Sequence, residues 1–236
     1  MNKTQFPTSF MGVDSEEAYE RIMNEKELEQ KTSPIIPNSA GKDTNNFVYV
    51  PSINLYVAKE RSHLSKSWFD CHKELQSEGL RMPTLPEFIE FLKYCKINNP
   101  DIYKEITEVR SPWRSEWIDA DFKVINKKLH INYHHVLDSN GNLIPKNSEL
   151  LDKDVLMEDK TPGISLEDYL YNNHTSQGLP SKKVESGELY YYCPRNDNNS
   201  VAWFSANSGR ADLNCNGNPS IQNPDLGVFG VAQSGL

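Results

Sequence analysis

Two short period-two patterns near the end of the chain constrain it more than any other feature. Phe204, Ala206 and Ser208 alternate with Ser205, Asn207 and Gly209, and Ala211, Leu213 and Cys215 then alternate with Arg210, Asp212, Asn214 and Asn216. Successive side chains of a strand point to opposite faces, so the small and apolar set can meet a core while the polar set faces outward. The pattern predicts two strands with Phe204, Ala206, Ala211, Leu213 and Cys215 inward. Outward it places Ser205, Asn207, Gly209, Arg210, Asp212, Asn214, Asn216 and Gly217 in one exposed patch. A glycine- and asparagine-rich coil is the competing reading. The regular placing of Trp203, Phe204, Leu213, Leu226, Val228 and Phe229 argues against it.

Composition sharpens the point. All 18 Lys, 19 Glu and 5 Met precede Pro194, whereas an even spread would put about eight of them in the last 43 positions. Eight Asn lie there instead, with Ser, Gly, Asp and Arg, the adaptable hydrogen-bonding groups that binding loops favour.

The run Val201-Ala-Trp-Phe-Ser-Ala-Asn-Ser-Gly-Arg-Ala-Asp-Leu-Asn-Cys-Asn-Gly-Asn-Pro219, continued by Asn223-Pro-Asp-Leu-Gly-Val228, resembles the variable region of diversity-generating retroelement target proteins, a prokaryotic or viral family. The resemblance implies that an error-prone reverse transcriptase copies an RNA template and randomises its adenines, so that template Asn codons of the form AAY become NNY. Such codons exclude Lys, Glu, Met, Trp and Gln and never give a stop, which matches the missing Lys, Glu and Met. Trp203 and Gln222 are then template-fixed or come from another codon. The family pattern also adds Ile221 and Asp225, beside the Pro219 and Pro224 turns, to the edge of the ligand-binding patch.

The length of 236 residues suits one large domain with an arm. A formal charge of −8 argues against nucleic acid or an anionic membrane as the main partner. There is no apolar run long enough for membrane insertion, and the polar start at Met1 lacks the apolar core of a secretion signal. Residues 1–46 read as an arm: Asp14 and Glu17 have capping-box-like spacing, and Glu16 to Lys31 forms a charged helix with a stripe of Tyr19, Ile22, Met23 and Leu28. A linker with Pro34, Pro37 and Gly41 follows.

From residue 47 onward the chain reads as a folded domain. Phe47 to Val50 and Ile53 to Val57 are strand candidates around Pro51. Ser65 or Ser67 caps a helix carrying Trp68, Phe69, His72 and Leu75, which Gly79 stops. Thr84, Pro86 and Glu87 then form a capping box that opens a helix with Phe88, Ile89, Leu92 and Cys95 on its buried face. The wording Arg81-Met-Pro-Thr-Leu-Pro-Glu-Phe88 is similar to the Arg-Leu-Pro-Thr-x-x-Glu-Trp element of the formylglycine-generating-enzyme branch of the C-type lectin fold, which the retroelement targets share. The two motifs stand in that family's order, and the resemblance spans roughly residues 47–232. It implies an α+β, C-type lectin-like fold over 47–236, with two helices, a small irregular antiparallel β core and a variable region at about 194–232.

Between the motifs, Glu116 to Ile125 and Lys128 to Leu137 read as strands joined at Asn126-Lys127, with a further turn at Asn140-Gly141. Ser165 and Asp168 cap a short helix, and Tyr190 to Tyr192 make a last aromatic strand.

His72 reads as a half-buried core residue rather than a ligand. His130 and His134 share a strand face with Asn132 but lack an evident third ligand, so no metal site and no catalytic metal is expected. Asp152, Asp154, Glu158 and Asp159 lack the glycine turn of a calcium loop and read as a solvated stretch. A cysteine-dependent enzyme needs an activated thiol beside a partner. Cys193 and Cys215 are far apart, Cys71 and Cys95 lie on helix faces, and all four read as buried thiols. Calcium-dependent sugar binding would need paired motifs of which Asn223-Pro-Asp225 is only a near miss. The expectation is therefore a binding module without catalytic residues or cofactor, recognising a protein or glycan on a target surface. It would be virion-associated or extracellular by a non-classical route.

Overall fold

The computed structural model describes residues 9–10, 13–14, 44–108 and 111–233. The chain divides into two units, Met1–Asn38 with Ser234–Leu236, and Ser39–Gln233. In the first, β1 (Ser9–Phe10) pairs antiparallel with β2 (Val13–Asp14). The arm helix expected over 16–31 and the linker after it lie outside the described residues, save Thr44–Asn46, which form a short 3-10 helix.

The second unit is α+β. Its elements are β3 (Phe47–Val50), β4 (Leu55–Ala58), α1 (Trp68–Ser77), α2 (Leu85–Asn98), α3 (Pro100–Glu108), β5 (Arg114–Ile125), β6 (Lys128–Leu137), β7 (Leu143–Leu150), β8 (Lys160–Ile164), α4 (Leu166–Tyr171), β9 (Ser186–Gly187), β10 (Leu189–Tyr192), β11 (Ser200–Asn207), β12 (Arg210–Gly217), β13 (Leu226–Gly227) and β14 (Val231–Gln233). None of the described helices is long and apolar enough to cross a membrane.

The helix ends follow from local chemistry. Ser67 caps α1, its hydroxyl accepting from the Asp70 N–H at 3.1 Å. Gly79 ends α1 in the left-handed region (φ 69°), which lets the Leu80 N–H reach the Leu75 carbonyl at 2.8 Å. The Thr84–Glu87 capping box opens α2, and Arg81 clamps the same carboxylate through two 2.6 Å bonds. The Ser165 hydroxyl accepts from the Asp168 N–H at the start of α4. No helix was expected where α3 lies. Pro100 stands at its first position, where its missing N–H costs nothing, and Ile102, Tyr103 and buried Ile106 pack one side against the core.

The β core corrects the expectation of a small antiparallel one with two helices: four helices accompany a nine-stranded mixed sheet in the order β7-β6-β5-β11-β12-β10-β8-β9, with β13 added on β5. The pairings of β10 with β12 and of β13 with β5 are parallel. A separate three-stranded sheet, β14-β4-β3, joins the end of the domain to its beginning.

β11 lies inside the large sheet between β5 and β12, with Phe204 opposite both Glu116 and Leu213, and Ser205 opposite both Ser115 and Asp212. One face, formed by Ile118, Ala120, Phe122, Ala202, Phe204, Ala211, Leu213 and Cys215, joins the main core with Phe88, Phe91 and Leu92 of α2. Phe88 meets Phe204 at 5.6 Å and Phe91 meets Phe229 at 5.5 Å, so the tail packs on α2. The opposite face, with Trp117, Val201 and half-buried Trp203, packs on Trp68, Cys71 and Leu75 of α1.

Candidate functional site

The tail strands place their inward set as the alternation predicts: Phe204, Ala206, Ala211, Leu213 and Cys215 are all buried. The outward set divides. Gly209 and Ile221 are exposed, and Asn207, Arg210, Asn214, Asn216 and Asp225 are half-buried. Ser205, Asp212 and Gly217 are buried, against expectation. A strand flanked on both sides can be covered on both faces, and period-two alternation does not reveal the second cover. Here the Trp203 ring, 5.3 Å from Trp117, lies against Gly217, and the Trp68 N–H holds the Pro219 carbonyl at 3.0 Å.

Each of the three buried positions has a structural task. Asp212 accepts from Arg210 Nε at 2.8 Å, from the Asn207 amide, and from Ser205 Oγ at 3.4 Å, so it ties the hairpin together. At Gly217 an added Cβ would lie 2.7 Å from the Trp203 ring. Gly209 is different: its φ of 136° strains any side chain, but the space around it is open.

The polar face opens toward β10. The parallel register sets Tyr190 beside Asp212 and Tyr192 beside Asn214, and both tyrosines are half-buried. The Arg210 guanidinium lies over the Tyr190 ring at 4.4 Å. Two tyrosines therefore flank the polar tail residues. From the sequence they read only as a strand, because nothing local shows that β10 pairs parallel with β12. Beyond Gly217 the chain turns through exposed Asn218, Ser220, Ile221, Gln222 and Pro224. This stretch is anchored from both sides: the Ser65 N–H donates to the Asn223 carbonyl at 3.1 Å, and Arg61 Nη1 to the Asp225 carbonyl at 2.6 Å.

A second group of polar residues lies inside the protein, on the α1 side of the sheet. His72 of α1, Asp119 of β5 and His135 of β6 are all buried, and one donor atom from each lies within 4.8 Å of the other two. His135 Nδ1 is 2.5 Å from Asp119 Oδ1, and the His135 N–H donates to Oδ2 at 3.1 Å. His72 Nε2 is 3.6 Å from the same Oδ1, and neither ring nitrogen of His72 has a hydrogen-bond partner. Burial lowers the His72 pKa to about 4 against the pull of Asp119, so its ring is neutral. Burial pushes the Asp119 carboxyl up, but the His135 hydrogen bond and the two imidazoles outweigh it and hold the group below its usual range.

His130 and His134, read as parts of a polar strand face, do not belong to this group. The His130 ring turns to the Lys128 carbonyl at 2.9 Å, and His134 turns to Asn147 at 3.0 Å and Glu87 at 3.8 Å. The left-handed backbone of His134 (φ 55°) interrupts the alternation, and it is His135 whose ring faces Asp119. His72 is a core residue, as read, but fully rather than half buried. Three residues from three elements carry no shared spacing, so only their burial in an otherwise apolar neighbourhood could have hinted at the group.

The other candidates stay apart. Asp159 binds Arg195 at 2.5 Å and the Cys193 N–H at 2.9 Å, while Glu158 pairs with Lys160 at 3.0 Å. The four cysteines are free and buried. Burial pushes the Cys71 and Cys95 thiols up to about 12 and Cys193 to about 11, and raises Cys215 well above its usual value. No protein family, curated protein or solved structure matches the chain.

Proposed function

We propose that the domain is a ligand-recognition module of the C-type lectin-like kind, whose tail surface is diversified by a retroelement and binds a protein or glycan on a host-cell or environmental surface. The observation that carries the reading is the division of labour within the tail. Its inward residues Phe204, Ala206, Ala211, Leu213 and Cys215 are buried in the frame, while Asn207, Gly209, Arg210, Asn214, Asn216, Ile221 and Asp225 keep solvent access, with Arg210 lying over Tyr190 and Asn214 beside Tyr192. Exchange at accessible positions usually costs under about 0.5 kcal/mol, so a surface can vary while its frame holds. Tyrosines among Asn, Ser and Gly give rigid contact area next to adaptable hydrogen bonding, the mixture found in antibody-like paratopes.

The cysteine-enzyme alternative loses support from the thiols, since raised pKa values keep them protonated and poorly nucleophilic near neutral pH. Display on a virion or cell surface is the setting that fits such a module.

The test is the DNA beside the coding sequence. The proposal expects a reverse transcriptase gene and a near-copy of the tail segment, differing from it at adenines in the codons of the accessible residues and matching it at those for Phe204, Asp212, Leu213 and Gly217. Finding no such copy, or mismatches concentrated in the buried codons, would refute it.

A further inference from the structure

We infer that His72, Asp119 and His135 form a structural binding site for one divalent first-row transition ion of the zinc type, fastening α1 to β5 and β6. The inference is independent of the tail and of what the tail binds.

The donor set is the first argument. Two imidazoles and one carboxylate are ligands of the intermediate kind that zinc prefers. They come from three separate elements and are held by a shell that leaves them little freedom. Trp68 lies edge-on to both rings, at 4.3 Å from His72 and 4.9 Å from His135, and its indole N–H is fixed on the Ile118 carbonyl at 3.0 Å. One helical turn beyond His72, Gln76 donates to the His135 carbonyl at 3.3 Å and accepts from the Leu137 N–H at 2.9 Å, which fixes the strand carrying His135.

The second argument is the orphaned ring. His72 is completely buried and among the described residues both its nitrogens lack partners, a costly state for a polar ring. A metal ion takes up one of those nitrogens. Charge gives a third argument. Among the described residues the ion-pair partners of Asp119 are the two imidazoles alone, and a buried carboxylate without a firm cation is costly.

The geometry is close to a site. Bonds of about 2.0–2.1 Å in a tetrahedron set ligand atoms roughly 3.3 Å apart. The separation of 3.6 Å between His72 Nε2 and Asp119 Oδ1 needs little change, and the 2.5 Å contact of His135 Nδ1 with the same oxygen must open by somewhat under ~1 Å. On binding, Nδ1 gives up its proton, which moves to Nε2 if the ring is neutral or to solvent if it is charged. Nε2 then faces Asp121 Oδ1, 3.8 Å away, and Asp121 is itself held by the Asn132 amide at 2.6 Å. A metal-bound histidine backed by a carboxylate is the usual outer arrangement. Three protein donors leave one position for water. Complete burial argues against the several open positions of an oxygen-activating iron site and for a low-coordinate structural ion.

The test uses the full chain, stripped with a chelator and then given Zn(II) or Co(II). The expected result is binding of about one equivalent, a higher melting temperature and, with Co(II), the intense visible absorption of a four-coordinate ion. His72→Phe, which keeps apolar bulk beside Trp68, and Asp119→Asn should each weaken Zn(II) binding by more than ~100-fold. The double variant His130→Gln, His134→Gln should bind as the parent does. If His72→Phe does not fold, the parent protein decides alone: no stoichiometric uptake, or a six-coordinate Co(II) spectrum, overturns the inference. So does uptake that survives His72→Phe and disappears in the His130, His134 variant.

Discussion

The two faces of the central sheet are built from the same strands but do different work. Toward α2, the side chains of β5, β11 and β12 that join the core are apolar, with Glu116 and Ser200 as buried polar exceptions. Toward α1, the same three strands carry Ser115, Asp119, Asp121, Ser205 and Asp212, all buried, together with Trp117 and Trp203. An apolar face fixes strand register, because a one-residue slip would send every inward side chain to the other side. A polar face can hold ligands, at the expense of satisfying each buried group. On this second face the groups are sealed at the His72, Asp119 and His135 end and open to solvent at the Asn214, Asn216 and Tyr190 end.

The comparison can be broken most forcefully on the apolar side. Phe204→Ala should destabilise by about 3–5 kcal/mol and Leu213→Ala by about 2–5 kcal/mol, read from the midpoint of urea unfolding at unchanged slope. Smaller losses would mean that the tail is not part of the core.

Next in size is a pH effect from Glu116, a buried carboxyl on that face. Burial raises the Glu116 carboxyl from 4.5 to about 8 despite the attraction of Arg61, and one of its oxygens lacks a partner. The folded state then holds a proton that the unfolded chain releases near 4.5. Stability should accordingly fall as pH rises from about 4.5 to about 8 and level off above. Glu116→Gln should remove that slope, worth on the order of a few kcal/mol over the window. A slope unchanged in the variant would show that Glu116 is not its source.

On the polar face, Asp212→Ala should cost about 1.5–3 kcal/mol, because Arg210, Asn207 and Ser205 lose a shared charged acceptor. Equivalence of that variant to the parent in a thermal melt would return Asp212 to the exchangeable set.

The sequence disclosed these faces unequally. The helix caps at Ser67, Thr84 and Ser165, the turn at Asn126-Lys127, and the inward side of β11 and β12 were legible, because each depends on residues adjacent in the chain. The size of the sheet was not, since the parallel pairing of β10 with β12 joins segments about twenty residues apart in sequence with no local sign. The same limit explains the outward errors. Ser205 and Asp212 read as exposed because they are polar and in phase, but both are buried, in a sheet whose second face is also packed, and Asp212 takes up Ser205, Asn207 and Arg210 within the hairpin. His72, Asp119 and His135 share no spacing at all, so their meeting belongs to the tertiary structure alone.

The smallest effect expected is also the one that bears most directly on the account. A library with NNY codons at Asn207, Arg210, Asn214, Asn216, Ile221 and Asp225 can be compared with one of equal size at Phe204, Ala206, Ala211, Leu213 and Cys215, scoring resistance to proteolysis clone by clone. The account predicts that most clones of the first library stay folded, with losses under about 0.5 kcal/mol per position, and that few clones of the second do. Equal rates of unfolding in the two libraries would contradict it.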